Sequence, residues 1–314
     1  MNRTFAAIAS IALLATTAVA SDRNHNDVSV FSPIGFKLQL EAGRGHFELR
    51  LTLGPRSNMN TSVTPTQIGL GERALEANGP LRFAMDRAPG RLDCTGDTAR
   101  QVATGSCTFT PGAEFTRNLA SRGMGTPSLQ QSLGLTMVNA DTKLIDALEQ
   151  ANYPRPTIDQ LIALSALRVT PAYVADLSRQ GFRPDNLDDL TAFAALGIDA
   201  DYAGQMLRAG LGKLDARGLI ALKSLGVSPE YLSAMVKAGL PRLTADEAVQ
   251  MKAVGVTPDY IREMASVGYA DLPAERLVEM RAVGVTSEDV RRARQIGITD
   301  PTADQLVQIR VLRK

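Results

Sequence analysis

The chain has 314 residues, of which 44% are hydrophobic and 21% charged, and its formal net charge is +1. This is the composition of an ordinary globular protein, and the length suggests about two domains. The near-neutral balance gives no reason to expect binding to nucleic acid or to an anionic membrane, which a basic excess would favour.

The beginning of the chain has the pattern of a secretory signal peptide. Arg3 supplies a positive amino-terminal region, an apolar stretch follows at residues 5–19, and small residues at Ala18 and Ala20 precede Ser21. The apolar stretch is shorter than the ~20 residues that span a bilayer, and no later segment is long enough. We therefore predict a cleaved signal at residues 1–20 and an exported mature chain, periplasmic or extracellular, with no transmembrane segment.

Residues 21–110 are predicted to form a small antiparallel β module. Residues 36–40 and 46–53 alternate apolar and polar side chains, as half-buried strands do, and a short turn separates them. Further strands are expected at residues 81–85, 91–94 and 106–110. The polar stretch 55–65 is predicted to be a loop. These pieces predict a sheet but do not define its strand order.

The β module contains the only two cysteines of the chain, Cys94 and Cys107, which lie close together in the sequence. In an oxidising compartment such a pair is expected to form a disulfide, worth roughly 3 kcal/mol in the chain-entropy model. The alternative is a redox or metal pair. The only histidines, His25 and His46, lack the spacing of zinc ligands, which favours the structural disulfide.

From residue 111 to residue 314 the sequence repeats, with equivalent residues at every twenty-ninth position. One column of equivalent positions contains Gly123, Asn152, Gly181, Gly210, Gly239, Gly268 and Gly297. A second column contains Asn139, Arg168, Gly197, Gly226, Gly255 and Gly284. Both are typical of helix ends in the left-handed backbone region. We therefore expect that conformation at Gly239, and a Gly239→Val substitution to destabilise the protein by on the order of 1 kcal/mol.

Each repeat also contains two positions that cap helix amino termini. The first column contains Asp141, Thr170, Asp199, Ser228, Thr257 and Thr286, and the second Thr157, Asn186, Asp215, Thr244, Pro273 and Thr302. The unit is therefore two helices of about ten residues, too short to be stable without packing on their neighbours. The predicted fold is mainly α: an α-solenoid-like array of helix–turn–helix repeats at residues 111–314, preceded by the β module.

The sequence contains no pattern typical of a catalytic or cofactor site. A nucleophile elbow, a phosphate-binding loop, a dinucleotide fingerprint and the zinc-protease pattern are all missing from the chain. Acidic residues such as Asp188 and Asp246 occupy one repeated position in the first turn of a helix, where the helix dipole accounts for them. We therefore predict a non-enzymatic protein with no catalytic, cofactor-binding or metal site.

The strongest surface candidate is a basic stripe in the later repeats. We define it as Lys223, Lys252, Arg262, Arg281, Arg291 and Arg310. One interpretation is a solvated helix face, and the other is a binding surface for an acidic partner, a lipid head group or a polyanion, with another protein as the expected partner. The tyrosines of one column (Tyr173, Tyr202, Tyr231 and Tyr260) are expected to wedge between repeats, with a binding ladder as the alternative.

Three segments of the chain resemble parts of known proteins. Leu-Gly-Val-Ser-Pro-Glu-Tyr at 225–231 and Val-Gly-Val-Thr-Pro-Asp-Tyr at 254–260 resemble repeats of uncharacterised exported bacterial proteins. They also resemble repeats in the extracytoplasmic tails of some membrane metallopeptidases of the β-lactam-sensor type. Residues 88–110, with Gly90, Cys94, Gly96 and Phe109, look like a Gly/Phe-rich module that precedes such repeats. The resemblance implies no catalytic residues, because the metallopeptidase motif is missing from this sequence.

Three functions follow as hypotheses. The first is an exported, non-enzymatic protein-interaction scaffold. The second is a ligand- or stress-sensing accessory of an envelope signalling system, with the β module as the ligand site. The third is nucleic-acid binding, because helix–hairpin–helix modules share the apolar-Gly-apolar turn. The export signal and the near-neutral charge argue against the third, so no nucleic-acid partner is expected.

Overall fold

The structure is a computed structural model that describes residues 34–41, 45–54, 57–211 and 214–312. In that part of the chain a six-stranded antiparallel sheet is followed by fourteen α-helices. The prediction of a mainly α chain that begins with a small antiparallel β module is confirmed. The predicted signal peptide at residues 1–20 and His25 lie outside the described residues.

The strands are β1 (Ile34–Leu40), β2 (Phe47–Thr52), β3 (Asn58–Val63), β4 (Gly79–Arg87), β5 (Gly90–Ala99) and β6 (Val102–Pro111). Their order across the sheet is β3-β2-β1-β6-β5-β4. Alternating side chains point to opposite faces, so one face collects the buried apolar residues, among them Leu38, Leu49 and Leu92. A short 3-10 helix, Pro65–Ile68, contributes the buried Ile68 to this core.

One part of the strand prediction was wrong. Residues 55–65 were expected to form a loop, yet β3 pairs with β2 over its whole length, from Asn58 opposite Thr52 to Val63 opposite Phe47. The strand is polar because it lies at the edge of the sheet, and of its six residues only Val63 is fully buried. Pairing with β2 makes this segment a strand, although its polar composition does not predict one.

Cys94 and Cys107 lie directly opposite each other on β5 and β6 and form a disulfide. Both side chains are buried, with exposed fractions of 1% and 4%. On the same face, Phe36 and Phe83 meet edge to face with ring centres 5.0 Å apart. The disulfide therefore joins two neighbouring strands inside the core of the sheet.

The first seven helices are α1 (Ala113–Ser121), α2 (Leu129–Met137), α3 (Thr142–Gln150), α4 (Ile158–Ala166), α5 (Pro171–Arg179), α6 (Leu187–Leu196) and α7 (Ala200–Arg208). The remaining seven are α8 (Ala216–Ser224), α9 (Pro229–Lys237), α10 (Ala245–Val254), α11 (Pro258–Ser266), α12 (Ala274–Val283), α13 (Ser287–Gln295) and α14 (Ala303–Val311). Each has nine or ten residues, and alternate helices begin one sequence period apart.

Local sequence explains both ends of these helices. Thr170 accepts a hydrogen bond from the amide of Tyr173 at 3.1 Å, and Thr244 forms a reciprocal capping box with Glu247. At the other end, Gly239 has a φ of +116°, in the left-handed region as predicted. Arg168 adopts the same region, with a φ of +59°, at a position where later repeats have glycine. A side chain in this region strains the backbone.

The helices pack mainly on their second neighbours along the chain. Each even-numbered helix from α2 to α12 contacts the next even-numbered one, and each odd-numbered helix from α1 to α9 contacts the next odd-numbered one. Leucine, methionine and valine side chains from both sets form one continuous core, in which Leu164, Met206 and Met251 are completely buried. Equivalent repeat positions therefore lie next to one another on neighbouring helices of the same set, even-numbered or odd-numbered.

The sheet and the helices share a boundary at α2. Leu133 and Met137 of this helix belong to the core of the sheet. The guanidinium of Arg87, at the end of β4, donates to the carbonyl oxygens of Thr136 and Met137, each at 2.8 Å. Since those carbonyls lie at the carboxyl end of α2, the arginine also complements the helix dipole there.

Within the described ranges, no single helix is long and apolar enough to cross a bilayer. The helices α4 and α5 reach that length and hydropathy only when they are taken together, and an 82° bend separates them.

Candidate functional site

The tyrosine column links each odd-numbered helix to the turn that follows the next helix. Tyr173, Tyr202 and Tyr231 are the third residues of α5, α7 and α9. Their hydroxyls donate to the carbonyl oxygens of Ile198, Val227 and Val256 at 2.6, 3.1 and 2.8 Å, respectively. Each bond spans 25 residues, so the tyrosines hold neighbouring repeats together with half-buried rings, as the wedge interpretation predicts.

Tyr260 differs from the other members of the column. Its side chain is buried, with 3% exposed, and within the described residues its hydroxyl has no hydrogen-bond partner. Burial raises the pKa of Tyr260 to about 12, and it does the same for Tyr202 and Tyr231. The hydroxyls therefore stay protonated at neutral pH, as the donation of Tyr202 and Tyr231 to carbonyl oxygens requires.

Three members of the basic stripe stack on this tyrosine column. The ammonium of Lys223 lies 4.1 Å from the ring centre of Tyr202, and that of Lys252 lies 4.8 Å from the ring centre of Tyr231. The guanidinium carbon of Arg281 lies 4.9 Å from the ring centre of Tyr260. These are cation–π distances. The offset in sequence from ring to cation is the same in all three pairs, because each cation comes from the last turn of the following even-numbered helix.

Arg310 follows the same register with a different partner. The residue at the same offset before it is Asp289, which takes the place of a tyrosine, and the two side chains form an ion pair at 3.5 Å. Asp289 is 7% exposed and also accepts hydrogen bonds from the amide and hydroxyl of Thr286, both at 2.9 Å. Arg310 is therefore held by a carboxylate, whereas Lys223, Lys252 and Arg281 stack on tyrosine rings.

The structure divides the basic stripe into two groups. Lys223, Lys252, Arg281 and Arg310 lie in the last turns of even-numbered helices, and we call them the basic column. Arg262 and Arg291 lie on the odd-numbered helices α11 and α13, where they pair with Asp259 and Glu288. The six residues therefore do not form one continuous stripe, and each has a partner within the chain.

An apolar column runs beside the basic column. The residues at the carboxyl ends of the even-numbered helices are Val138, Leu167, Leu196, Leu225, Val254, Val283 and Leu312. None is buried; Leu167, Leu225 and Leu312 have exposed fractions of 36%, 42% and 87%. Each residue just before this column, from Ala166 to Val311, is exposed and uncharged. We call the apolar and basic columns together the helix-end surface.

The repeated acidic residues lie where the helix dipole interpretation places them, in the first turns of even-numbered helices. Several also bridge repeats: Gln131 donates to Asp159 at 3.0 Å, and Arg276 pairs with Asp304 at 2.8 Å. His46 lies 3.4 Å from the hydroxyl of Ser62 at the edge of the sheet. In the described part of the chain, no group of three or more His, Cys, Asp or Glu residues is placed to hold a metal ion.

Two depressions flank α5, and no sequence motif marks either of them. The one between α3 and α5 has a volume of about 510 Å³ and is lined mainly by small apolar residues, including Ala147, Ala151, Ala172 and Ala175. The one between α5 and α7, of about 400 Å³, is lined by Tyr173, Asp176, Arg179, Gln180 and Asp199–Asp201. The sequence feature that could have indicated the groove between α3 and α5 is alanine at positions 172 and 175, where a later repeat has Asp259 and Arg262.

Neither a scan against protein-family models nor a search of curated proteins gave a match. The resemblance to exported bacterial repeat proteins therefore stays a prediction that rests on the residues quoted for it.

Proposed function

We propose that residues 111–314 form an α-solenoid and that the protein is an exported, non-enzymatic scaffold that binds another protein through the helix-end surface. The observation that carries this proposal is the alignment of the apolar column beside the basic column on successive even-numbered helices. The contacts between second neighbours support the solenoid, because each helix then relies on its neighbours for burial, as in other helical repeat proteins.

The partner proposed for this surface has apolar side chains beside acidic ones. The exposed side chains of Leu167, Leu225 and Leu312 supply the apolar contact area beside the half-buried valines of the column, and contiguous apolar patches mark interaction sites. Lys252 and Arg281 supply the charge complementarity. Their contacts with tyrosine rings already hold both side chains in place, which lowers the entropy lost when a partner binds.

Export is supported by the disulfide. Cys94 and Cys107 are joined in the structure, and disulfides persist in oxidising compartments outside the cytoplasm. The predicted signal at residues 1–20 supports the same proposal from the sequence.

Site-specific photo-crosslinking tests the proposed function. A photoreactive residue replaces Ala253, which is exposed on α10 between Lys252 and Val254, in the full-length protein. The matched position is Ser266, which is exposed at the end of α11 in the other set of helices. Crosslinking is carried out in an extracytoplasmic extract of the source cells, and the products are identified by mass spectrometry.

The proposal predicts one discrete adduct from position 253 that is weak or missing from position 266. The adduct should also disappear when Leu225→Asp is added, because that change places a carboxylate in the apolar column. Equal adducts from both positions, or an adduct from position 253 that survives Leu225→Asp, would contradict the proposal.

A further inference from the structure

The two depressions beside α5 share one helix as their common wall. Ala172 and Ala175 face the groove between α3 and α5, whereas Tyr173 and Asp176 line the depression between α5 and α7. Neighbouring packed helices are about 8–10 Å apart, so both depressions lie within reach of a few residues of one bound polypeptide. The groove on the α3 side is mainly apolar, and the depression on the α7 side is mainly polar.

The polar depression is acidic. Asp176, Asp199 and Asp201 line it together with a single cation, Arg179, which pairs with Asp176. Asp199 is engaged as the cap of α7, where it accepts from the amide of Tyr202 at 2.8 Å, and Asp201 accepts from Gln205 at 2.8 Å. With three carboxylates against one guanidinium, the depression has a net negative charge and attracts a positive group.

The surrounding sequence has the same sign. Residues 141–201 contain ten acidic and five basic residues, a net charge of −5, whereas residues 202–314 contain 13 acidic and 16 basic residues, a net charge of +3. The part of the array that contains the two depressions is therefore the acidic part. A basic ligand would be drawn towards it over distances comparable to the Debye length, about 8 Å at physiological salt.

Later repeats lack this combination of features. The position of Ala175 is occupied by Arg262 on α11 and by Arg291 on α13, so large charged side chains stand where α5 has alanine. The position of Asp176 is occupied by Gln205 on α7 and by Ala234 on α9, and on α11, where Glu263 keeps a carboxylate, Arg262 replaces the alanine beside it. An apolar groove beside an acidic wall is therefore specific to the region of α3, α5 and α7.

We propose that the two depressions beside α5 bind a short segment of a partner polypeptide that carries a small apolar side chain next to a lysine or arginine. The apolar side chain occupies the alanine-lined groove, and the basic side chain reaches Asp176 and Asp201 beside Tyr173. This surface is distinct from the helix-end surface and takes a partner of the opposite charge, so it stands or falls independently of the proposed function.

Fluorescence anisotropy with two labelled peptides tests this inference on the full-length mature protein. One peptide repeats Ala-Lys-Leu, and the other repeats Ala-Glu-Leu at the same length. We expect the lysine peptide to bind, with an affinity that falls as salt is added, and the glutamate peptide to bind at least tenfold more weakly. Equal binding of the two peptides, or no binding of the lysine peptide, would overturn the inference.

Matched variants locate the binding site. Asp176→Asn combined with Asp201→Asn should weaken the lysine peptide at least tenfold. The control pair, Glu230→Gln with Asp259→Asn, removes two carboxylates from the position equivalent to Asp201 in later repeats and should change the affinity less than twofold. Ala175→Arg, which reproduces a residue that α11 and α13 already accommodate, should also weaken binding by filling the groove. If the two double variants lose the same amount of affinity, the peptide binds elsewhere and the proposed site is wrong.

Discussion

The ammonium of Lys223 lies 4.1 Å above the ring of Tyr202, although the two residues belong to different helices. The same offset in sequence joins Lys252 to Tyr231 and Arg281 to Tyr260. Each pair links an odd-numbered helix to the even-numbered helix that follows it. The basic column therefore stabilises the packing of the helices and, in the proposed function, also presents charge to a partner.

The fixed offset predicts that a basic residue can be introduced over the one tyrosine of the column that lacks a cation. Tyr173 is the one ring of its column without a basic residue at the corresponding later position, because Ala194 stands there. Ala194→Lys should place an ammonium over that ring and raise the free energy of unfolding by about 0.5–1 kcal/mol. Urea denaturation measures the change. Ala195→Lys, at the exposed neighbouring position, serves as the control, and a gain no larger than that of the control would argue against the stacking.

The tyrosine hydroxyls yield a second prediction. Tyr231→Phe removes the hydroxyl that donates to Val256, so it should lower the free energy of unfolding by about 1 kcal/mol. Tyr260→Phe removes a buried hydroxyl that has no partner in the described part of the chain, so it should be neutral or stabilising. The comparison of the two variants in thermal unfolding is the measurement. Equal losses would mean that the hydrogen bond contributes nothing.

Arg168 tests whether the second glycine-rich column of the repeat favours glycine because its backbone is left-handed. Because its φ is +59°, Arg168→Gly should relieve backbone strain and raise the free energy of unfolding by about 0.5–1 kcal/mol. The reverse change, Gly226→Arg at the equivalent position with a φ of +65°, should lower it by a similar amount. Melting temperatures measured on both variants check the pair. A lower melting temperature for Arg168→Gly would show that the arginine side chain stabilises the fold by other contacts.

The disulfide yields a fourth prediction. Replacement of Cys94 and Cys107 by alanine should lower the free energy of unfolding by roughly 3 kcal/mol. Because both sulfurs are buried in the sheet, a thiol reductant should act slowly on the folded protein and rapidly in denaturant. Alkylation of the released thiols, followed by mass spectrometry, measures both rates. Rapid reduction without denaturant would show that the strands open readily.

Much of this fold could be predicted because the same local signals occur in every repeat. Cap residues such as Thr244 and turn residues such as Gly239 act within a few positions, so sequence alone identifies them. The edge strand β3 could not be predicted, because its order comes from pairing with β2. The division of the basic stripe also depends on tertiary packing, since the sequence alone does not show that Arg262 and Arg281 belong to different sets of helices.

The depressions beside α5 illustrate the same limit. Ala175 and Asp176 belong to no motif in the sequence, and they form a surface only because α3 and α7 lie on either side of α5. The fixed offset between the tyrosine and basic columns, by contrast, was visible in the sequence. It could have indicated the cation–π pairs before the structure was known.

The most direct test of the central proposal compares two charge-reversed proteins that differ only in which helices carry the change. One carries Lys252→Glu and Arg281→Glu on the even-numbered helices, and the other carries Arg262→Glu and Arg291→Glu on the odd-numbered ones. Both are first shown to unfold cooperatively, and their affinity for the partner crosslinked at position 253 is then measured by titration. The first protein should bind that partner at least tenfold more weakly than the unsubstituted protein, and the second should bind it as tightly as the unsubstituted protein does. If the two charge-reversed proteins bind it with equal affinity, the helix-end surface is not the binding surface.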